Sequence, residues 1–148
     1  MNILIREAAI SDLQGILALY NQPSMDGDDV LPLEEARRIF ERMRQYPDYK
    51  VYVAEDEGEL VGTYALAIMD NLGHMGQASG IIEDVVVLES RQGQGIGRLM
   101  MEHAVAVCRE KGCYKAALSS NINREAAHRF YESLGFKKHG YSFLIDLN

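Results

Sequence analysis

The chain is short of cysteine, of positive charge and of long apolar runs. Its 148 residues hold two cysteines, Cys108 and Cys113, with neither metal-ligand spacing nor a disulfide framework around them. Lys and Arg number 15 against 22 Asp and Glu, for a net charge of −7. That excess of acid, with no block of like charges, leaves no basic face for nucleic acid. No apolar run approaches the ~20 residues of a membrane span. The start, Met1 to Arg6, lacks a secretory apolar region and cleavage site, so a cytoplasmic protein is expected. Repeats, low-complexity tracts and linkers are missing too. Residues 1–148 therefore read as one domain, with an ordinary globular composition of 47% apolar and 25% charged residues.

The periodicity sets out an α/β chain. Ile3 to Glu7 reads as a strand, and Ser11 as the cap of a helix through Leu13, Ile16, Leu17 and Tyr20. Asn21 to Leu31 is a polar loop, and Pro32 can start the next helix. Val51 to Ala54 and Leu60 to Met69 read as strands joined by a turn over Asp56 to Glu59. After a second irregular loop, Asp70 to Ser79, comes an apolar strand from Ile81 to Leu88. A helix from Ile96 to Lys111 follows, then a strand from Tyr114 to Ser119 and a helix from Asn123 to Leu134. Two last strands, Phe136 to His139 and Tyr141 to Leu147, flank Gly140. The order β-α-α-β-β-β-α-β-α-β-β predicts a mixed sheet covered by helices.

Chemistry concentrates between the apolar strand and the long helix. Arg91 to Arg98 reads Arg-Gln-Gly-Gln-Gly-Ile-Gly-Arg. Three glycines at alternate positions allow tight turns and close backbone approach. The helix behind them points free N–H groups at the turn, an arrangement that binds phosphate. The dinucleotide fingerprint would need glycine where Arg98 stands, and an acid some 20 residues on, which Cys113 to Asn123 does not supply. The Gly-Lys-Ser/Thr ending of a P-loop is missing as well. A second stretch, Asn123 to Phe136, places Ala127, Phe130, Tyr131 and Leu134 on one helix face. Gly135 suits the left-handed position that ends a helix, with Phe136 packing after it.

Gln92, Gly95 and Gly97 resemble the pyrophosphate loop of the GNAT N-acetyltransferase superfamily. Asn123, Ala127, Phe130-Tyr131 and Gly135-Phe136 resemble its downstream helix. The likeness runs from Ile81 to Phe136, and the first eighty residues match in layout. It implies acetyl-CoA as cosubstrate and direct transfer of acetyl to an amine. The backbone of Val85, Val86 and Val87 would pair with the pantetheine arm. One of their N–H groups would hold the oxyanion, a contact typically worth ~3 kcal/mol of barrier. Gln92, Gly93, Gln94, Gly95, Ile96, Gly97 and Arg98 would hold the pyrophosphate. Tyr131 would protonate the departing thiolate, and Asn123 would orient the cofactor. In many relatives this Asn falls where Arg124 stands here.

The amine arrives protonated, so a general base is useful. Glu83 is the candidate. Glu83 and Asp84 are adjacent acids in an apolar strand, alternation sends them to opposite faces, and burial would raise a carboxyl's pKa. His74 is a weaker candidate, His103 and His128 read as structural, and Glu102 pairs with Arg98 on the surface. Cys113 as a nucleophile has nothing near it in sequence to lower its pKa. No metal is expected.

Ile82 to Val87 and Gly112 to Lys115 are similar to the glucosamine-6-phosphate N-acetyltransferase branch, although that branch tends to carry Asp where this chain has Ser119. The resemblance implies an N-acetyltransferase acting on the primary amine of a small molecule. The alternatives are an amino-sugar-phosphate acetyltransferase, a protein N-terminal acetyltransferase, or a non-catalytic acyl-CoA-binding module. Asp26, Asp28 and Asp29 in the first loop predict a cationic acceptor. The terminal strands could pair between subunits in a homodimer.

Overall fold

The computed structural model describes all residues from Met1 to Asn148. They form two compact units, Met1–Ala117 and Leu118–Asn148. The first holds β1 (Ile3–Glu7), α1 (Leu13–Tyr20), α2 (Leu33–Met43), β2 (Tyr49–Asp56), β3 (Glu59–Met69), β4 (Ala78–Val87), α3 (Ile96–Glu110) and β5 (Cys113–Ala117). The strands lie in the order β1-β2-β3-β4-β5. The first three pairings are antiparallel, and β4 with β5 is parallel. The α/β class and the mixed sheet are as the sequence predicts.

Helices cover both faces because side chains alternate along the strands. Val53 packs with Leu13, Ile16, Ala36 and Phe40 of α1 and α2. Its neighbour Tyr52 points the other way and stacks on Tyr64 at 5.2 Å, against His103 of α3. Tyr64 is fully buried, and its hydroxyl lies 2.6 Å from His103 Nδ1. Burial holds that imidazole below its usual pKa, so it stays neutral and can accept the bond. Two glycines let α3 approach closely. A Cβ at Gly62 would stand 2.8 Å from Met100 Sδ, and one at Gly80 would collide with Cys108 Sγ.

Several boundaries differ from expectation. Asp12, not Ser11, begins α1. Its carboxylate accepts from Ala9 N–H at 2.7 Å and from both terminal nitrogens of Arg6, at 2.7 and 2.9 Å. Ser11 lies inside the 3-10 turn Ile10–Asp12 that leads into α1, and no side chain caps the helix. In β5 the pairing begins at Cys113 and ends at Ala117, short of Ser119.

The second unit contains α4 (Glu125–Ser133), which starts two residues after Asn123. Gly135 ends it at φ 97°, and Phe136 N–H bonds back to Tyr131 C=O at 3.1 Å. The expected strands over Phe136 to His139 and Tyr141 to Leu147 do not form. That stretch has no ladder, and Tyr141, Phe143, Leu144, Ile145 and Leu147 are 81–93% exposed. A strand needs a neighbouring edge, which local propensity cannot supply.

Candidate active site

The site begins with a break in the sheet. β4 pairs with β5 only from Ala78 to Ile81. Beyond Ile81 its β5-side edge is free, and Val85, Val86 and Val87 lie on that free stretch. On the other side the ladder to β3 slips between Thr63 and Ala65, so Ala65 faces Glu83 while Thr63 faces Val86. The extra residue is Asp84, which adopts φ 54°. This is a β-bulge, with a non-glycine residue in the left-handed region.

The bulge overturns the expected alternation. Glu83 and Asp84 do not fall on opposite buried faces, because both are exposed. The burial argument for Glu83 therefore fails. Its neighbour Asp84 is a carboxyl with a raised pKa. Protein atoms crowding it are the main cause, and the Asp26 carboxylate is the second. The sequence did contain the signal, two adjacent acids in an apolar strand, but not the slip that distinguishes them. Tyr20 and Tyr49 belong to the same neighbourhood, with nothing in their local sequence to mark them. Burial raises the pKa of each phenol, and the charge of Asp84 raises it further.

Past β4, residues Glu89–Arg91 make a 3-10 turn and the glycine loop follows. Gly93 and Gly95 take φ 77° and 85°, and Gly95 is the residue that begins α3. Gly97 lies within the helix. The N–H groups of Gly93, Gln94 and Gly95 bond to no backbone carbonyl, and no side chain caps the helix. The loop is anchored from behind. Arg91 pairs with Asp56, and it reaches Glu59 at 3.2 Å and Gln94 Oε1 at 3.0 Å. Arg98 pairs with Glu102 at 3.7 Å on the surface, as expected. Gln92, Gly93, Gln94, Gly95, Ile96, Gly97 and Arg98 thus form one continuous turn into α3. Its unpaired donors suit a diphosphate, and the free edge of β4 suits an extended amide-bearing chain.

Together these features describe an anion cradle next to an open strand edge. Comparison with known proteins names the architecture. A sequence model of the acetyltransferase (GNAT) family matches residues 14–136. The chain belongs to this family. It is similar to the glucosamine 6-phosphate N-acetyltransferase of Trypanosoma brucei brucei, 32% identical over 99% of this chain and 97% of that protein. The aminoalkylphosphonate N-acetyltransferase of Salmonella typhimurium is 35% identical over 66% of this chain and 62% of its own length. Among solved structures, a putative acetyltransferase from Agrobacterium tumefaciens str. C58 superposes with a TM-score of 0.91. It is 36% identical, covering 97% of this chain and 99% of that one. The GNAT chain described here is accordingly an acetyltransferase, and the family match spans both of its compact units.

In the second unit, Tyr131 of this GNAT chain is half-buried between Phe130 and Phe136, with ring centroids 5.2 and 5.8 Å away. Burial raises its pKa, and Arg124 partly opposes the rise. The phenol is therefore protonated at neutral pH. Asn123 precedes α4, is exposed, and gives its N–H to Asn121 Oδ1 at 2.9 Å. His74 stacks on Tyr114 at 4.3 Å, and His128 bonds the Asn121 carbonyl at 2.8 Å. Burial raises the thiol pKa of Cys113 and pushes Cys108 up to about 12, which leaves both poor nucleophiles at neutral pH. No helix is long and apolar enough to cross a membrane.

Proposed function

We propose that the chain is an acetyl-CoA-dependent N-acetyltransferase acting on a small primary amine that carries additional positive charge. The carrying observation is the free stretch of β4 beside the uncapped, donor-rich start of α3. Acetyl-CoA supplies the activated acetyl group. The backbone of Val85, Val86 and Val87 lines its extended arm, and residues Gln92 to Arg98 hold its diphosphate. Tyr131 donates a proton to the leaving sulfur, and Asn123 orients the cosubstrate. The Glu83–Asp84 pair takes the amine proton. Asp84 is the member whose raised pKa brings a carboxylate nearer to base strength at neutral pH.

The acceptor's charge follows from the acids around the bulge. Asp26 acts on Asp84, both act on Tyr20, and Asp28 and Asp29 stand in the same loop as Asp26. Neither Asn21 to Leu31 nor Asp70 to Ser79 contains Lys or Arg. Such a field attracts cations and repels phosphate. The experiment is release of free CoA thiol with a polyamine and with glucosamine 6-phosphate, for wild type and for a protein with all three loop acids changed to Asn. Faster polyamine turnover that collapses in the triple variant supports the reading. Faster turnover of the phosphosugar, unchanged in the variant, refutes it. The phosphosugar is the second reading, favoured by the likeness to the trypanosomal enzyme.

The proposed protein partner is a second copy of the chain. Tyr141, Phe143, Ile145 and Leu147 form one period-2 apolar row with no ladder of their own, while β5 is an edge strand. Sedimentation of wild type and of Phe143→Asp/Ile145→Asp tests this. A dimer that dissociates in the double variant is expected, and a monomeric wild type would exclude it.

A further inference from the structure

We propose that Gln22 is a positioning residue that ties the acceptor-side loop to the cofactor strand, so that acetyl-CoA binding orders the acceptor side. The inference rests on the reading of the glycine loop as an acetyl-CoA site.

Gln22 follows the end of α1 by two residues and is half-buried. Its side-chain amide reaches 65 residues along the chain. Nε2 donates to the Val87 carbonyl at 3.4 Å and to the Leu19 carbonyl at 3.1 Å. Oε1 accepts from the Glu89 N–H at 2.7 Å. Val87 is the last residue of β4 and Glu89 the first of the turn that enters the glycine loop. The Gln92 amide also donates to the Val87 carbonyl, at 3.4 Å. One carboxamide thus brackets the chain between the open strand and the anion cradle.

The backbone of the same residue holds the other side. The Gln22 carbonyl accepts from Met25 N–H at 3.0 Å and Gly27 N–H at 3.1 Å. These bonds close the turn that carries Asp26. Gln22 therefore bonds to both the acidic loop and the end of the cofactor strand. A primary amide with this reach can donate to one carbonyl and accept from an N–H two residues further on. Glutamate lacks the donor, and methionine has neither group but a similar shape.

The sign of the coupling follows. The short bond to Glu89 holds the loop entrance in place before a ligand arrives, and such preorganisation strengthens binding. A ligand that fixes β4 and the glycine loop must in turn hold Gln22, and with it the Met25–Gly27 turn. Coupling between two sites is reciprocal by linkage.

The test uses full-length wild type, Gln22→Met and Gln22→Glu, with thermal melts to confirm folding. CoA affinity is measured by calorimetry. Amide exchange at Met25, Gly27 and Glu89 is followed with and without CoA. In wild type, CoA is expected to slow exchange at Met25 and Gly27. In Gln22→Met, which loses all three side-chain bonds, CoA should bind roughly fivefold more weakly, the size expected for losing the preorganising bond to Glu89, with the CoA-dependent slowing gone. Gln22→Glu should also lose the slowing, because it cannot donate to Val87. A folded variant with wild-type affinity and wild-type slowing overturns the proposal. Faster loop exchange with and without CoA alike, at unchanged affinity, reduces Gln22 to a loop brace and also overturns it. Failure of wild type to bind CoA overturns the cofactor reading itself. Glu89 exchange in the CoA-free proteins still reports separately on the Gln22 bond.

Discussion

Gly95 gives the most direct test of the cofactor loop. It stands at φ 85° and ψ 6° where the loop becomes α3. A Cβ placed there would meet no atom within 4 Å. Any effect of a small substitution is therefore a backbone effect, not a clash. For an L residue the left-handed region costs about 1–2 kcal/mol, less for Asn and more for a β-branched side chain. Strained positions of this kind span about 1–3 kcal/mol. The loop is open and can relieve the strain by leaving this conformation. The binding-competent fraction then falls, and the apparent Kd rises in proportion. At about 1.4 kcal/mol per tenfold, the range is roughly 5- to 150-fold. Calorimetric Kd values for CoA should therefore rise in the order Gly, Asn, Ala, Val, with adenosine binding poorly to all four proteins. The melting temperature should fall by only a few degrees, about 2–4 °C per kcal/mol for a chain of this size. Wild-type affinity in a folded Gly95→Val protein would refute the reasoning. So would equal losses in Asn and Val, since conformational cost could not then be the cause.

Three further outcomes follow. Tyr131→Phe should lower kcat about 100-fold or more with little change in CoA affinity, as for loss of a proton donor; a loss confined to the KM for acetyl-CoA would mark it as a packing residue. In pH–rate profiles, Asp84→Asn should remove the acidic limb, and persistence of that limb there with its loss in Glu83→Gln would move the base to Glu83. The raised pKa of Asp84 also fixes a stability effect. The folded state holds that proton more tightly than the unfolded chain, so ionisation weakens the fold as pH rises through the unfolded value of about 3.9 and up to the folded pKa. Asp84→Asn should thus melt higher than wild type at pH 7, and the gain should vanish below the ordinary carboxylate range.

The division between sequence and tertiary structure is physical. Local chemistry carried the glycine loop: Gly93 and Gly95 are glycines because the chain turns left-handed there, and Gly135 ends α4 for the same reason. Short-range periodicity likewise carried α1 to α4 and the hairpin at Glu57-Gly58, where both residues take positive φ. Pairing partners were invisible. Alternation put Glu83 and Asp84 on opposite buried faces. One extra residue against β3 cancelled that, and left Asp84 with the perturbed carboxyl. The residues after Phe136 have strand-like apolar alternation and form no ladder. Gln22 looked like one more polar loop residue, because its partners Val87 and Glu89 lie 65 and 67 positions away. The sequence by itself determined which segments turn, coil and alternate, since those depend on neighbours along the chain. Only the tertiary structure decided register, the end of the β4–β5 ladder at Ile81 and the contact of Gln22 with the end of β4, because each depends on what a distant segment brings alongside.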